Sequence, residues 1–270
     1  MIIRNLEVIK FILVCYSSFN TFKKENYKFF NEDKKFLYFS FFALIKIFYL
    51  FFFNKIKLIF NIYERKKFYY YNRNFFYRYK FSELWSKSAI YHWDKIFTKF
   101  KLYNKKISIL EIGSYEGFST LFFLENFKKS NITCVDTWKN YDENPLINFS
   151  NIEKTFNKNT YKFRRKILKF KMNSNKFFNQ NFNKKKYDLI YIDGDHHFKI
   201  VYKDLKNSYE LLKKNGVMII DDFLTYNFYK NNLNENPFGA IIVFLNKYQK
   251  NIKIIQITNQ IIIQKILNKK

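Results

Sequence analysis

From Ile107 onward the chain alternates short apolar runs with longer amphipathic ones, and no other feature limits its fold as much. Ile107 to Ile112, Ile132 to Asp136, Ile167 to Met172, Tyr187 to Asp193 and Val217 to Asp222 have the length and residue types of buried strands. Gly117 to Phe127, His197 to Lys214 and Pro237 to Tyr248 fall between or after them with helical spacing. Such alternation argues an α/β fold with a mostly parallel sheet and right-handed crossovers. Ile252 to Ile257 and Ile261 to Lys265 flank Thr258, Asn259 and Gln260, which predicts a closing hairpin and one antiparallel strand. Upstream, Phe81 to Phe100 reads as a helix: Ser82 precedes Glu83 as a cap, and Leu84, Trp85, Ile90, Trp93, Ile96 and Phe97 form a stripe. Tyr69 to Tyr79 has no clean period and reads as a connector.

The chain holds five glycines, and four of them, Gly113, Gly117, Gly194 and Gly216, fall at the turns that follow or precede these strands. In a chain so poor in glycine, that placement implies backbone positions that need it. In ILEIGSYEGFST (109–120) a buried strand ends in Glu111, and Gly113 and Gly117 bracket a tight turn into a helix. This is the layout of a nucleotide-type site at the carboxyl end of a first strand. It is not the dinucleotide fingerprint, because Tyr115 stands where the middle glycine would be. The second strand ends at Asp136, placed to accept ribose hydroxyls. YDLIYIDGDHHF (187–198) and GVMIIDDF (216–223) end at the same expected sheet edge. Asp193, Asp221 and Asp222 would converge there, and three carboxylates need a cation. All-oxygen ligation favours Mg²⁺ or Ca²⁺.

The segments EIGSYEGFST, CVDTW, LIYIDGDHHF and GVMIIDDF, in this order, resemble class I S-adenosylmethionine-dependent methyltransferases. They are most similar to small bacterial methyltransferases with a YIDGxH signature followed by DD. The turn with Tyr at its centre also resembles catechol O-methyltransferase. The resemblance covers about residues 82–266. It implies a Rossmann-like class I sheet, with Glu111, Gly113, Ser114, Tyr115, Gly117 and Ser119 around the methionine part of the cofactor. It places Asp136 on the ribose, Asn173 and Ser174 near the adenine, and Asp193, Asp221 and Asp222 on a divalent metal. His196 falls where metal-dependent relatives place a catalytic base. Asn215 replaces the second glycine before the fifth strand, which a left-handed turn tolerates. The loop from Lys139 to Ser150 has no counterpart in the pattern.

Residues 1–80 carry no resemblance and read as a basic, aromatic, helical N-terminal extension to a methyltransferase domain at 81–270. Its most apolar stretch, Phe36 to Phe53, contains one charge, Lys46. It is short for a membrane span. Three readings stay open for it: a span, an interfacial helix with snorkelling lysines, and a helix packed on the catalytic domain. The formal net charge is +27, and residues 1–106 hold 22 basic against 7 acidic residues. The lysines are scattered with no compact Arg stripe, so nucleic acid is not the expected partner. Asp193-Gly194-Asp195-His196 is also unlike the Asn/Asp-Pro-Pro-aromatic motif common in nucleic-acid methyltransferases. Cys15 and Cys134 are the only cysteines and leave no disulfide framework, which fits a reducing compartment. The expectation is a cytoplasmic enzyme, peripheral at the membrane through its N-terminal part. It would move a methyl group from S-adenosylmethionine to a hydroxyl of a sugar, glycan or related small molecule. The competing expectation is a cofactor-binding or membrane-tethered module without turnover.

Overall fold

The computed structural model of the chain describes residues 2–29, 35, 37, 39–139, 151–180, 185–224 and 232–266, with side chains from residue 8 onward. Helices α1 (Ile2–Asn26), α2 (Phe41–Phe60), α3 (Ile62–Tyr71), α4 (Arg73–Arg78) and α5 (Ile90–Lys99) come first. They are followed by β1 (Ser108–Ile112), α6 (Phe118–Asn126), β2 (Asn131–Asp136), α7 (Ile152–Thr160), β3 (Ile167–Lys171), α8 (Ser174–Asn179) and β4 (Tyr187–Ile192). The chain continues with α9 (Phe198–Leu211), β5 (Leu212–Ile220), α10 (Pro237–Tyr248), β6 (Ile252–Ile257) and β7 (Ile261–Lys265). Two compact units result: Leu58–Gly194, and Met1–Lys57 together with Asp195–Lys270.

In the Leu58–Gly194 unit the strands run in the order β3-β2-β1-β4, all parallel. Ile109 lies level with Ile132 on one side and Leu189 on the other. Ile109, Leu110, Ile132, Leu189 and Ile190 are wholly buried. Parallel strands covered on both faces must be apolar throughout, which is why these runs show no alternation. The apolar stripe of α5 is buried as its spacing predicts: Trp93 packs 5.3 Å from Phe123 and 5.2 Å from Tyr191, and Phe97 packs 4.8 Å from Phe127.

In the other unit β7 is antiparallel to both β5 and β6, with Val217 opposite Gln264 and Ile257 opposite Ile261. Helix α10 starts where Asn236 accepts a hydrogen bond from the Phe238 amide at 3.0 Å and Pro237 takes the first helical position, whose amide needs no partner. Helix α1 packs against it, with Phe11 edge-on to Phe238 at 5.7 Å. Phe22 meets Phe198 at 4.5 Å, and Asn26 Nδ2 donates to Asn234 Oδ1 at 2.6 Å. The expected α/β class, the parallel strand set, the single antiparallel strand of the closing hairpin and the helical N-terminal extension are all present.

Three local expectations need correction. Tyr69 to Tyr79 is mostly helical, as α3 and α4, and not a connector. Tertiary packing decides there: Phe75 is buried among Phe81, Phe118 and Phe122, and such contacts outweigh weak aromatic helix propensity. The helix expected from Phe81 begins only at Ile90, after a 3₁₀ turn at Trp85–Ser88. Ser82 caps nothing; its amide donates to Glu116 Oε2 at 2.6 Å. Helix α9 stops at Leu211, and β5 begins at Leu212, earlier than expected. The stretch read as Phe36 to Phe53 appears as α2 from Phe41 onward, with Leu44, Ile47 and Phe51 buried. Among the described residues no helix is long and apolar enough to cross a membrane, which counts against the spanning alternative. The unmatched loop lies, from residue 140 on, outside the described residues.

Candidate functional site

The carboxyl end of β1 carries the first cluster. Gly113 has φ +84° and donates its amide to the Val135 carbonyl at 2.9 Å. A Cβ at this position would lie 1.8 Å from the Asp193 carbonyl oxygen. Glycine is therefore required by the crossing of two backbones. Gly117, at φ +88°, begins α6 after its amide closes the turn onto the Ser114 carbonyl at 2.8 Å. Tyr115 also sits in the left-handed region, at φ +45°, an uncommon conformation for a bulky residue.

What holds that turn is a pair of carboxylates. Glu111 is fully buried and accepts from Ser114 Oγ and Ser119 Oγ, each at 2.6 Å, from Thr120 Oγ1, and from Cys134 Sγ at 3.4 Å. Burial pushes its carboxyl above the usual range, and the hydroxyl donors pull partly back. The Cys134 thiol is pushed up by burial and by Glu111 beside it. Asp136, ending β2, accepts the Ser114 and Tyr115 amides on Oδ2 at 2.7 and 2.9 Å, and the Trp138 amide on Oδ1 at 2.7 Å. The indole Nε1 of Trp138 donates to the Tyr115 carbonyl at 2.9 Å. The Tyr115 ring stacks obliquely on Trp85 at 5.1 Å, and burial raises its phenol above the ordinary value. Sequence reasoning grouped Glu111, Gly113, Ser114, Tyr115, Gly117, Ser119 and Asp136, and the structure gathers all of them around one turn. Asn173 lies apart from these bonds as the exposed cap of α8, accepting the Lys176 amide at 2.8 Å, with Ser174 buried behind it. Asp193 follows β4, where its amide donates to the Ile112 carbonyl at 2.8 Å and its Oδ2 accepts from Tyr191 Oη at 2.8 Å.

The other unit carries the second cluster. His196 Nε2 lies 3.0 Å from Asp222 Oδ2. Asp222, two residues past the end of β5, has φ +55°, a strained position. Asp221 Oδ1 accepts the Asp222 amide at 2.9 Å, and its Oδ2 accepts from the buried Gln260 Nε2 at 2.5 Å. Asp221 thus braces the backbone that aims Asp222. The residue after the candidate base, His197, stands just before α9 and pairs through Nδ1 with Asp195 at 2.8 Å. Sequence reasoning missed Thr120, Tyr191 and Gln260. Gln260 had a signal, a polar residue in the hairpin turn facing the end of β5. Thr120 and Tyr191 had none, because their partners are set by packing.

A family model described as a methyltransferase domain matches residues 110–223. Protein R132 of Acanthamoeba polyphaga mimivirus is 27% identical over 126 residues, which are 44% of this chain and 53% of that protein. The MycE methyltransferase from the mycinamycin biosynthetic pathway, solved with Mg and SAH, superposes with a TM-score of 0.50 at 15% identity. That match covers 66% of this chain and 49% of MycE. An O-methyltransferase from Bacillus cereus solved with SAH gives a TM-score of 0.46 at 14% identity, over 59% of this chain and 74% of the other. The chain spans about half the length of R132 and of MycE. The fold is the Rossmann-like one of class I methyltransferases.

Proposed function

We propose that this chain, whose residues 110–223 form a methyltransferase domain, uses S-adenosylmethionine to methylate a hydroxyl oxygen of a sugar, glycan or related small molecule, with a divalent cation and a His base. The observation that carries this reading is the turn from Gly113 to Gly117, held rigid by Glu111 and Asp136 at the carboxyl end of β1. Ligands of open α/β sheets bind at that end. The donor set fits both absent groups. Asp136 has about four acceptor sites, and the three amides on it occupy three, which leaves capacity for a ribose hydroxyl. Asp222 would offer a carboxylate oxygen to a cation, a donor that suits a hard ion such as Mg²⁺. MycE was solved with Mg and SAH, and both groups are taken over here as proposals.

When bound, S-adenosylmethionine supplies the methyl group as a sulfonium electrophile, and the cation lowers the pKa of the acceptor hydroxyl. The chain's residues do the rest. Glu111, through Ser114, Ser119 and Thr120, fixes the turn that receives the methionine part. With Asp222 Oδ2 3.0 Å from Nε2, His196 would turn its Nδ1 to the acceptor. Nδ1 would take up the acceptor's hydroxyl proton. Asp221, tied to Gln260, keeps Asp222 aimed at the imidazole. Calorimetry of the full chain with S-adenosylhomocysteine, without and with Mg²⁺, tests the proposal. Binding strengthened by Mg²⁺ is expected. Absence of binding under both conditions refutes it.

A further inference from the structure

We propose that the outer face of α2 docks on an anionic lipid surface, with the helix lying along the membrane–water interface. Phe42, Ile45, Tyr49, Phe53, Ile56 and Phe60 recur at three- and four-residue steps and therefore form one ridge along the helix. These side chains are between 42% and 83% exposed. The opposite face is the packed one: Leu44, Ile47 and Phe51 are buried, and Asn54 Nδ2 donates to the Ile257 carbonyl at 2.9 Å. The ridge is therefore held outward by a helix already anchored on its other side. Isolated exposed apolar residues need no explanation, but a continuous ridge marks an interaction surface.

Charge selects the partner. At about 100° per residue, Lys46 and Lys57 fall on one flank of the ridge, and both are exposed. The Lys57 ammonium sits 4.4 Å from the Phe53 ring centroid, so its stem lies along the apolar ridge and its charge at the edge. No acidic residue occurs between Asp33 and Glu64. An apolar ridge edged by lysines, in a segment without a carboxylate, matches an acyl boundary beneath anionic headgroups. The helix lies on the membrane and does not cross it, in keeping with the absence of a spanning helix among the described residues.

Cosedimentation of the full chain with phosphatidylcholine–phosphatidylserine vesicles, and with phosphatidylcholine vesicles alone, tests this. Binding to the anionic vesicles, weakened by salt, is expected. Each Lys46→Gln or Lys57→Gln change should weaken it about fivefold. The double variant Phe42→Ser/Phe53→Ser should weaken it roughly tenfold or more, with an unchanged melting temperature, because both side chains are exposed. Failure to bind anionic vesicles at low salt overturns the proposal, as does binding that the double variant leaves intact. Light scattering of the lipid-free protein covers the remaining occupant. A dimer that the double variant splits into monomers overturns the lipid assignment in favour of a second copy of the chain.

Discussion

Replacing Gly113 with alanine asks the end of β1 to hold a side chain where the β4 end already runs. The new Cβ would stand 1.8 Å from the Asp193 carbonyl oxygen, 2.4 Å from the Asp193 carbonyl carbon and 2.8 Å from Gly194 Cα. Carbon atoms pack at about 3.5 Å or more, so the two strand ends must separate by well over an ångström. That separation breaks the bond from the Asp193 amide to the Ile112 carbonyl, now 2.8 Å long, worth about 1 kcal/mol net. The left-handed φ of +84° adds about 1 to 2 kcal/mol for any residue with a Cβ. Overpacking against backbone adds about 1 to 3 kcal/mol more. Together these come to roughly 3 to 6 kcal/mol, against a total stability of about 5 to 15 kcal/mol. At about 2 to 4 °C per kcal/mol, the melting temperature should fall by roughly 6 to 24 °C. Gly117→Ala is the control. Its Cβ would meet side chains, Thr160 Cγ2 at 3.1 Å and Phe156 Cδ2 at 3.2 Å, and these can shift. It should lose about 1 to 3 kcal/mol, mostly through φ. Thermal and urea melts of both variants without ligand decide the matter. If Gly113→Ala is no worse than Gly117→Ala, this glycine is not required by the backbone crossing, and a ligand is the remaining reason for it.

Glu111→Gln should flatten the pH dependence of stability. Burial raises the Glu111 carboxyl in the folded chain, so its contribution is complete below the unfolded value of about 4.3 and is lost as pH rises through the higher folded value. Melts between about pH 4 and about pH 7 that keep the parent's slope in the variant would remove Glu111 as the cause. Gln260→Ala leaves Asp221 Oδ2 without its buried donor and should cost about 1 to 3 kcal/mol in urea melts; no loss would show that Asp221 does not depend on this brace. His196→Ala should lower methyl transfer by about 10²- to 10⁴-fold while the affinity for S-adenosylhomocysteine stays put, since the imidazole would face the acceptor. Equal activity in variant and parent would rule out His196 as the base.

The strand–helix alternation makes the sheet legible in the sequence, because buried parallel strands must be apolar end to end and the helix at Pro237 to Tyr248 has helical spacing. The glycine turn is legible for a similar reason: few glycines means few candidate positions for positive φ. Its internal wiring is not. Nothing in the local pattern says that Asp136 grips the amides of Ser114 and Tyr115, or that Thr120 reaches Glu111. Those partners are chosen by how β1, β2 and α6 are placed against one another. The helices α3 and α4 are hidden because Tyr and Phe on every side erase the polar–apolar contrast on which periodicity depends. The ridge on α2 is hidden for the same reason, since an apolar inner face and an apolar outer face read as one hydrophobic run.

The unit that unites Met1–Lys57 with Asp195–Lys270 is assembled from the two ends of the chain. During synthesis α1 leaves the ribosome early, with Phe11, Ile12, Phe19 and Phe22 bound for burial. Its partners Phe198 and Phe238 follow only after residues 58–194 have been made. At about 5 to 20 residues per second, making that stretch alone takes roughly 7 to 27 seconds. For that time an apolar helix rich in phenylalanine is exposed on the nascent chain, open to holding chaperones and to neighbouring chains. Expression yield should therefore depend on translation speed through residues 58–194, a stretch that contributes no side chain to these ring contacts.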